Sequence, residues 1–408
     1  MKKQHLILML VAMGCLASLS TDIYLPAMPT IANALDTDMA MVQITLALFF
    51  GTFALGQLFY GPLSDNFGRR NVLLAGIALF GFSALLCAQA SSIETLMVGR
   101  FLLGLGACAG AVSAFAICRD VYDKTELSKA IAIISATIGV APLMAPVIGA
   151  MLNELYGWQS IFYFLTIYAF ILFVWVLTSL PETNNSNLKP IRAVRGTGYI
   201  KMLLDSNYFP YMLINAVAFI ALFAFIASSP VIFMIHWQLT EFQFSLFFAF
   251  NAVWLIIANT MLTIALKKYR TETMLKAGYI MIFIAGIVML FSGDIAKCIH
   301  WLVNVNITTL KIVLFALLMG VVTVGIAIVL STSMSLLLQS IEHQFGKAVA
   351  LAGFVRFSCG FAITFIISQI DSVNVATLAV IIITCGATCL LVIAFRKQTK
   401  PTLAEVSE

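Results

Sequence analysis

Three ionisable side chains of this 408-residue chain lie well inside long apolar runs: Asp22, Arg100 and Arg356. Asp22 closes the run that begins near Leu6, in the stretch Ser20-Thr21-Asp22-Ile23-Tyr24-Leu25-Pro26-Ala27-Met28-Pro29. A charge at the centre of a hydrocarbon layer costs roughly 2.5–3.5 kcal/mol on insertion scales, so such groups mark substrate paths or proton relays. Asp22 is then either a helix-end residue facing water or a carboxylate in an internal cavity that carries a proton or reads a substrate. Arg100 lies in Val98-Gly99-Arg100-Phe101-Leu102-Leu103-Gly104-Leu105-Gly106-Ala107. At ~1.5 Å per residue Asp22 and Arg100 both sit roughly 8–9 Å inside their spans, so an ion pair or water-bridged pair is geometrically available. Gly104, Gly106 and Gly110 allow the helix bearing Arg100 to approach its neighbours. The alternative is that Arg100 snorkels to headgroups. Arg356, in Gly353-Phe354-Val355-Arg356-Phe357-Ser358-Cys359-Gly360, is too deep to snorkel easily. It either faces a cavity or inner gate, or pairs with a helix C-terminus.

The elements that hold these residues follow from composition. The chain is 62% hydrophobic and 10% charged, against about 25% charged in soluble domains. The apolar runs are too long for alternating barrel strands, so the fold class is an all-α polytopic membrane protein. A span needs about 20 apolar residues. That length places twelve spans near 6–28, 41–62, 72–91, 95–117, 129–152, 159–180, 208–230, 244–266, 275–293, 310–333, 348–370 and 376–395. Lys2 and Lys3 precede an uncleaved first span rather than a removed leader, because the apolar run continues past Cys15. The eight cysteines show neither metal spacing nor a disulfide framework.

Nearly all of the 23 Lys and Arg fall on one side, in the tails and alternate loops, with only Lys297 and Lys311 in loops of the other. Both termini are therefore expected in the cytoplasm. The formal charge of +5 reflects this topology and does not indicate nucleic acid. A polar middle segment starting at Pro181-Glu182-Thr183-Asn184 divides the chain into a six-helix bundle over 1–183, a cytoplasmic linker over 184–207, a second bundle over 208–396 and a tail over 397–408.

The segment after the second span, Gly61-Pro62-Leu63-Ser64-Asp65-Asn66-Phe67-Gly68-Arg69-Arg70, resembles the loop signature of major facilitator transporters. Asn66 stands where that signature often has a basic residue. Asp65 can sit against a neighbouring helix N-terminus, with Arg69 and Arg70 at the cytoplasmic surface and Arg119-Asp120 close enough to lock one conformation. The Arg100 segment resembles the fourth-helix motif of the same superfamily. Gly139-Val140-Ala141-Pro142-Leu143-Met144-Ala145-Pro146-Val147-Ile148-Gly149-Ala150 resembles its fifth-helix antiporter motif, with Ala145 and Ala150 in place of glycines. Pro142 and Pro146 bend that helix, and Gly149 with Ala145 offers a flat face for a rocking contact. Together these motifs resemble the bicyclomycin/chloramphenicol-resistance (Bcr/CflA) branch of the drug:proton antiporters.

That resemblance implies two six-helix bundles in a bacterial inner membrane, a functional monomer without cofactor or metal, and proton-driven export of small compounds by alternating access. Asp22 and Arg100 are the expected proton-coupling pair. Gly61, Asp65, Gly68, Arg69, Arg70, Arg119, Asp120, Pro142, Pro146 and Gly149 are the expected gating residues. Tyr24, Gln43, Phe49, Asn215, Phe219, Phe223, Asn251, Trp254 and Arg356 combine apolar surface with polar tips, as a broad pocket requires. The partners are a small-molecule substrate, protons and lipid. A membrane enzyme would show His, Asp or Glu clustered on facing spans, which is not seen, and Asp22 with Arg100 argues against a passive scaffold. The same motifs would serve a dedicated carrier of a metabolite such as a siderophore or amino acid.

Overall fold

The computed structural model describes residues 3–123, 126–127, 130, 133–134, 140–184, 199, 202–303, 306–341 and 345–395. Among the described residues there are helices and no strands. Eleven helical stretches among the described residues are long and apolar enough to cross a membrane. The expected fifth span, 129–152, is described only in part; its later portion is the helix Ala141–Tyr156. Most of the linker, residue 396 and the whole tail over 397–408 lie outside the described residues.

In chain order the first half contains α1 (Lys3–Asp22), α2 (Met28–Ala34), α3 (Met39–Phe67), α4 (Arg69–Ala88), α5 (Ile93–Val121), α6 (Ala141–Tyr156) and α7 (Gln159–Ser179). The second half contains α8 (Phe209–Pro230), α9 (Glu241–Ala265), α10 (Thr271–Leu290), α11 (Ser292–Val303), α12 (Ile307–Gln339), α13 (Phe345–Ser368) and α14 (Val375–Phe395). Large apolar side chains such as Phe59, Phe82, Phe170 and Ile284 are exposed on the outside of the bundle. Such a surface suits hydrocarbon and not water, and the backbone polar groups are satisfied within each helix as lipid demands.

Three departures from the sequence reading have local causes. The first span does not end near residue 28. Pro26 and Pro29 cannot donate to a helix ladder, so the chain turns through Leu25–Ala27 and resumes as α2. The segment from Gly61 to Phe67 is not a loop: α3 runs through Pro62 and stops only at Gly68, whose φ of 91° places it in the region that favours glycine. A short extra helix, α11, lies between the ninth and tenth spans. Lys297 donates to Asp294 there (2.8 Å), which holds that exposed carboxyl below its ordinary value.

The two halves meet mainly along α3 against α13 and α6 against α9. Within the first half, α5 is the hub. A Cβ on Gly104 would strike Phe49 and Thr52 of α3, one on Gly106 would strike Phe80 of α4, and one on Gly110 would strike Met13 and Leu16 of α1. The three glycines expected to permit close approach thus serve three different neighbours.

Candidate functional site

Asp22 sits at the break in the first span. The hydroxyl of Ser20 turns back to the carbonyl of Ala17 (3.0 Å), and that of Thr21 to those of Ala17 and Ser18 (both 3.1 Å). Asp22 is 5% exposed, so it does not face water as a simple helix end would. Its hydrogen-bond partner among the described residues is the Thr21 hydroxyl, at 3.3 Å from Oδ1.

Arg100 approaches from α5 but does not form the expected ion pair with Asp22. Its Nη1 donates to the carbonyl of Ser20 (2.8 Å), in the last turn of α1, where carbonyls run out of intrahelical donors. The guanidinium carbon lies 4.4 Å from the centroid of Tyr24 and 4.9 Å from that of Phe49. Two desolvated ring faces contribute about 0.5–2 kcal/mol each. A charge-assisted hydrogen bond adds about 1.5–3 kcal/mol. Together they offset the insertion cost of roughly 2.5–3.5 kcal/mol. Snorkelling is excluded, since Arg100 is fully buried. Tyr24 is fixed in turn by its hydroxyl contact with Thr45 (2.8 Å).

Phe49 opens a chain of rings that crosses between the halves. It contacts Phe50 (5.8 Å between centroids) and Phe53 (6.1 Å). Phe50 meets Phe223 of α8 at 4.2 Å, and Phe53 meets Phe357 of α13 at 4.4 Å. Phe219 contacts both Phe223 (5.1 Å) and Phe357 (5.6 Å). At the far end the guanidinium of Arg356 lies 4.5 Å from Phe219 and 5.2 Å from Phe357. No carbonyl or carboxylate partners Arg356 among the described residues, and its Nε is buried without a hydrogen bond. It pairs with no helix C-terminus, one of the two readings open from sequence.

Of the other expected substrate contacts, Gln43 bridges the halves by donating to the carbonyl of Ala227 (2.9 Å). Asn215 bonds to Ser333 (2.9 Å), Asn251 accepts from Thr323 (2.8 Å), and Trp254 packs on Gly320. All three are engaged with α12 and are not part of the ring cluster. Two cavities also lie elsewhere. One of about 470 Å³ opens between α1, α6 and α7, and one of about 310 Å³ lies near Trp237, Lys311 and Asn374.

The residues expected to gate assemble differently from the expectation. Arg69 is buried rather than at the surface, and it bridges Asp65 (2.5 Å), Asp120 (3.0 Å) and Ser64 (2.5 Å). Asp65 does not cap a helix. Glu182 does, accepting from the backbone N–H of Arg69 (2.9 Å) and Arg70 (3.2 Å) at the start of α4. Arg70 reaches the carbonyl of Leu177 (2.6 Å). Arg119 is exposed and lies 3.9 Å from Asp120. A Cβ on Gly61 would meet open space. Gly149 is flattened against the backbone of Ile23 in its own half, so it is not the cross-half contact. That role falls to Pro146, whose carbonyl accepts from Ser245 of α9 (2.9 Å), while Pro142 starts α6.

Sequence reasoning missed a polar clasp at the end of the bundle opposite Arg69. Glu241 of α9 accepts from Thr30 (2.6 Å) and from Asn153 of α6 (2.7 and 2.6 Å). Glu241 is readable in sequence only as a first-turn acid inside the capping box Thr240–Gln243. Its partners are 211 and 88 residues away.

Comparison with known proteins adds context. The model of the Major Facilitator Superfamily matches residues 10–364. A bicyclomycin resistance protein homolog of Haemophilus influenzae is 28% identical over 93% of this chain and 92% of its own length. A chloramphenicol resistance protein of Pseudomonas aeruginosa is 30% identical over 85% and 79%. The fold also matches the crystal structure of a D-xylose-proton symporter, with a TM-score of 0.74 at 15% identity, covering 97% of this chain and 98% of that one. The resemblance read from the motifs is borne out by these relatives.

Proposed function

The chain belongs to the major facilitator superfamily, and on that premise we propose that it is a proton-coupled exporter of small amphiphilic compounds. Residues 1–183 and 208–396 act as two bodies that rock about a central site. Asp22 carries the proton, and both termini face the cytoplasm of a bacterial cell. The reading rests above all on one observation: a nearly buried carboxyl at a helix break, with a hydroxyl partner and, among the described residues, no cation within ion-pair distance. Such a group exchanges its proton only when one side of the protein opens to it. Arg100, held two residues away on the carbonyl of Ser20, keeps the break in shape. Substrate enters the seam of phenylalanines between the halves, where a ligand can replace Phe50–Phe223 and Phe53–Phe357 contacts with its own. Relatives named for bicyclomycin and chloramphenicol resistance support drug-like compounds as the cargo.

The test is proton release from acid-loaded inverted membrane vesicles when phenicols and other small amphiphiles are added, with wild type beside Asp22→Asn. Release by wild type alone is expected. Release by both proteins moves the proton site elsewhere, and silence of wild type toward a broad panel overturns the export reading.

A further inference from the structure

The charges inside the bundle are unbalanced. Arg100 and Arg356 are fixed cations, and Asp22 is the carboxyl that lies deep within a span. The described carboxylates of the second half, Asp205, Glu241, Glu272, Asp294 and Asp371, all stand at helix starts or in connections. Among the described residues, the charge placed deep within the spans therefore stays net positive whether or not Asp22 holds its proton. Arg100 has a backbone acceptor and two ring faces; Arg356 has ring faces alone. Ring faces alone leave Arg356 without the charge-assisted hydrogen bond that helps to offset burial at Arg100. A guanidinium left in this condition favours any acceptor that enters.

The orientation of Arg356 supports this. It lies halfway along α13, on the same face as buried Ala352, Gly360 and Ile363, at helical spacings of four and three residues. Yet Arg356 itself is partly exposed, as are Phe219 and Phe357 beneath it. Because Phe357 meets Phe53 of α3 and Phe219 meets Phe357, the rings under Arg356 belong to the chain that crosses between the halves, and the patch lies at that seam. Gly360 lets the ring of Phe223 pack directly on α13 beside Arg356: a Cβ there would lie 2.7 Å from that ring.

We propose that Arg356 and the Phe219–Phe223–Phe357 rings form a subsite for flat aromatic compounds bearing a planar two-oxygen acceptor, carboxylate above all, and that this subsite rejects organic cations. The guanidinium fork takes such a group bidentately, while the ring of the ligand stacks among the phenylalanines. The proposal rests on the export reading above. It also gives the antiport a driving force: outward movement of an anion against an inward proton carries two charges along the membrane potential, where a neutral substrate carries one.

The test uses full-length protein in inverted vesicles, with protein-free vesicles as background. The probes are 2-naphthoate, 2-naphthamide and 2-naphthyltrimethylammonium, each scored by substrate-triggered proton release. Wild type is expected to respond to naphthoate most, to naphthamide less and to the trimethylammonium compound at background. Arg356→Gln is expected to lower the naphthoate response at least tenfold while changing naphthamide less than threefold. Arg356→Lys, which keeps charge but not the fork, is expected to fall between. A wild-type response to the cation equal to that for naphthoate overturns the proposal. So does an equal loss for naphthoate and naphthamide in Arg356→Gln with normal membrane levels. Silence of wild type toward all three, with release triggered by other compounds of a wider panel, overturns the subsite and leaves export standing. Silence toward every compound overturns the export reading itself.

Discussion

Arg100 and Arg356 are both arginines within membrane-spanning helices, each lying over two aromatic rings, yet the chain treats them differently. Arg100 is sealed within one half, bound to Ser20 and stacked on Tyr24 and Phe49. Arg356 stands at the seam between the halves, with rings but no hydrogen-bond acceptor among the described residues. A buried charge with its partners built in holds a shape. One left without an acceptor, at a surface that opens and closes, is available to a ligand.

The sharpest way to break this comparison is to truncate both. Arg100→Ala leaves the Ser20 carbonyl unpaired and a void between two rings, for a cost of about 3 kcal/mol. It is expected to lower the melting midpoint in detergent by several degrees and to reduce transport at least tenfold. Arg356→Ala is expected to leave the midpoint within about two degrees while altering which compounds are carried. Equal melting losses would remove the distinction.

A smaller effect is expected from Phe50→Ala. It severs the 4.2 Å contact with Phe223 and thins the chain of rings between the two arginines. Apparent affinity for aromatic substrates should fall about threefold to tenfold in transport assays, with the stability of Arg100's half little changed. An unchanged affinity would place the substrate away from the seam.

The smallest effect is assigned to the clasp. Glu241→Gln keeps the shape of the side chain but weakens its charge-assisted bonds to Thr30 and Asn153 by about 1 kcal/mol. The seam should open more often, so a cysteine placed at Ala352, on the face of Arg356, should react with a water-soluble maleimide about threefold to fivefold faster. Buried Cys108 in the first half should not change. A rise at both positions would indicate general loosening instead.

The fold and its deep charges were legible because lipid imposes simple rules: span length, and the expense of a charge away from water. Asp22, Arg100 and Arg356 stand out on that basis alone. The partners did not, because they depend on which faces meet. Arg100 takes a backbone carbonyl, which no residue type announces. Phe50, Phe53 and Phe357 are three among 32 phenylalanines, and nothing local separates seam-facing rings from lipid-facing ones. Glu182 replaces Asp65 as the helix cap because α4 begins beside the end of α7, a proximity set by tertiary packing.

The central claim is that Asp22 couples protons to a rocking cycle without being needed for the rocking. Asp22→Asn in reconstituted vesicles separates the two. The account predicts that substrate exchange between equal pools on both sides persists within about twofold of wild type, while uphill accumulation driven by an imposed pH gradient disappears. Uphill accumulation retained by the asparagine variant would contradict it.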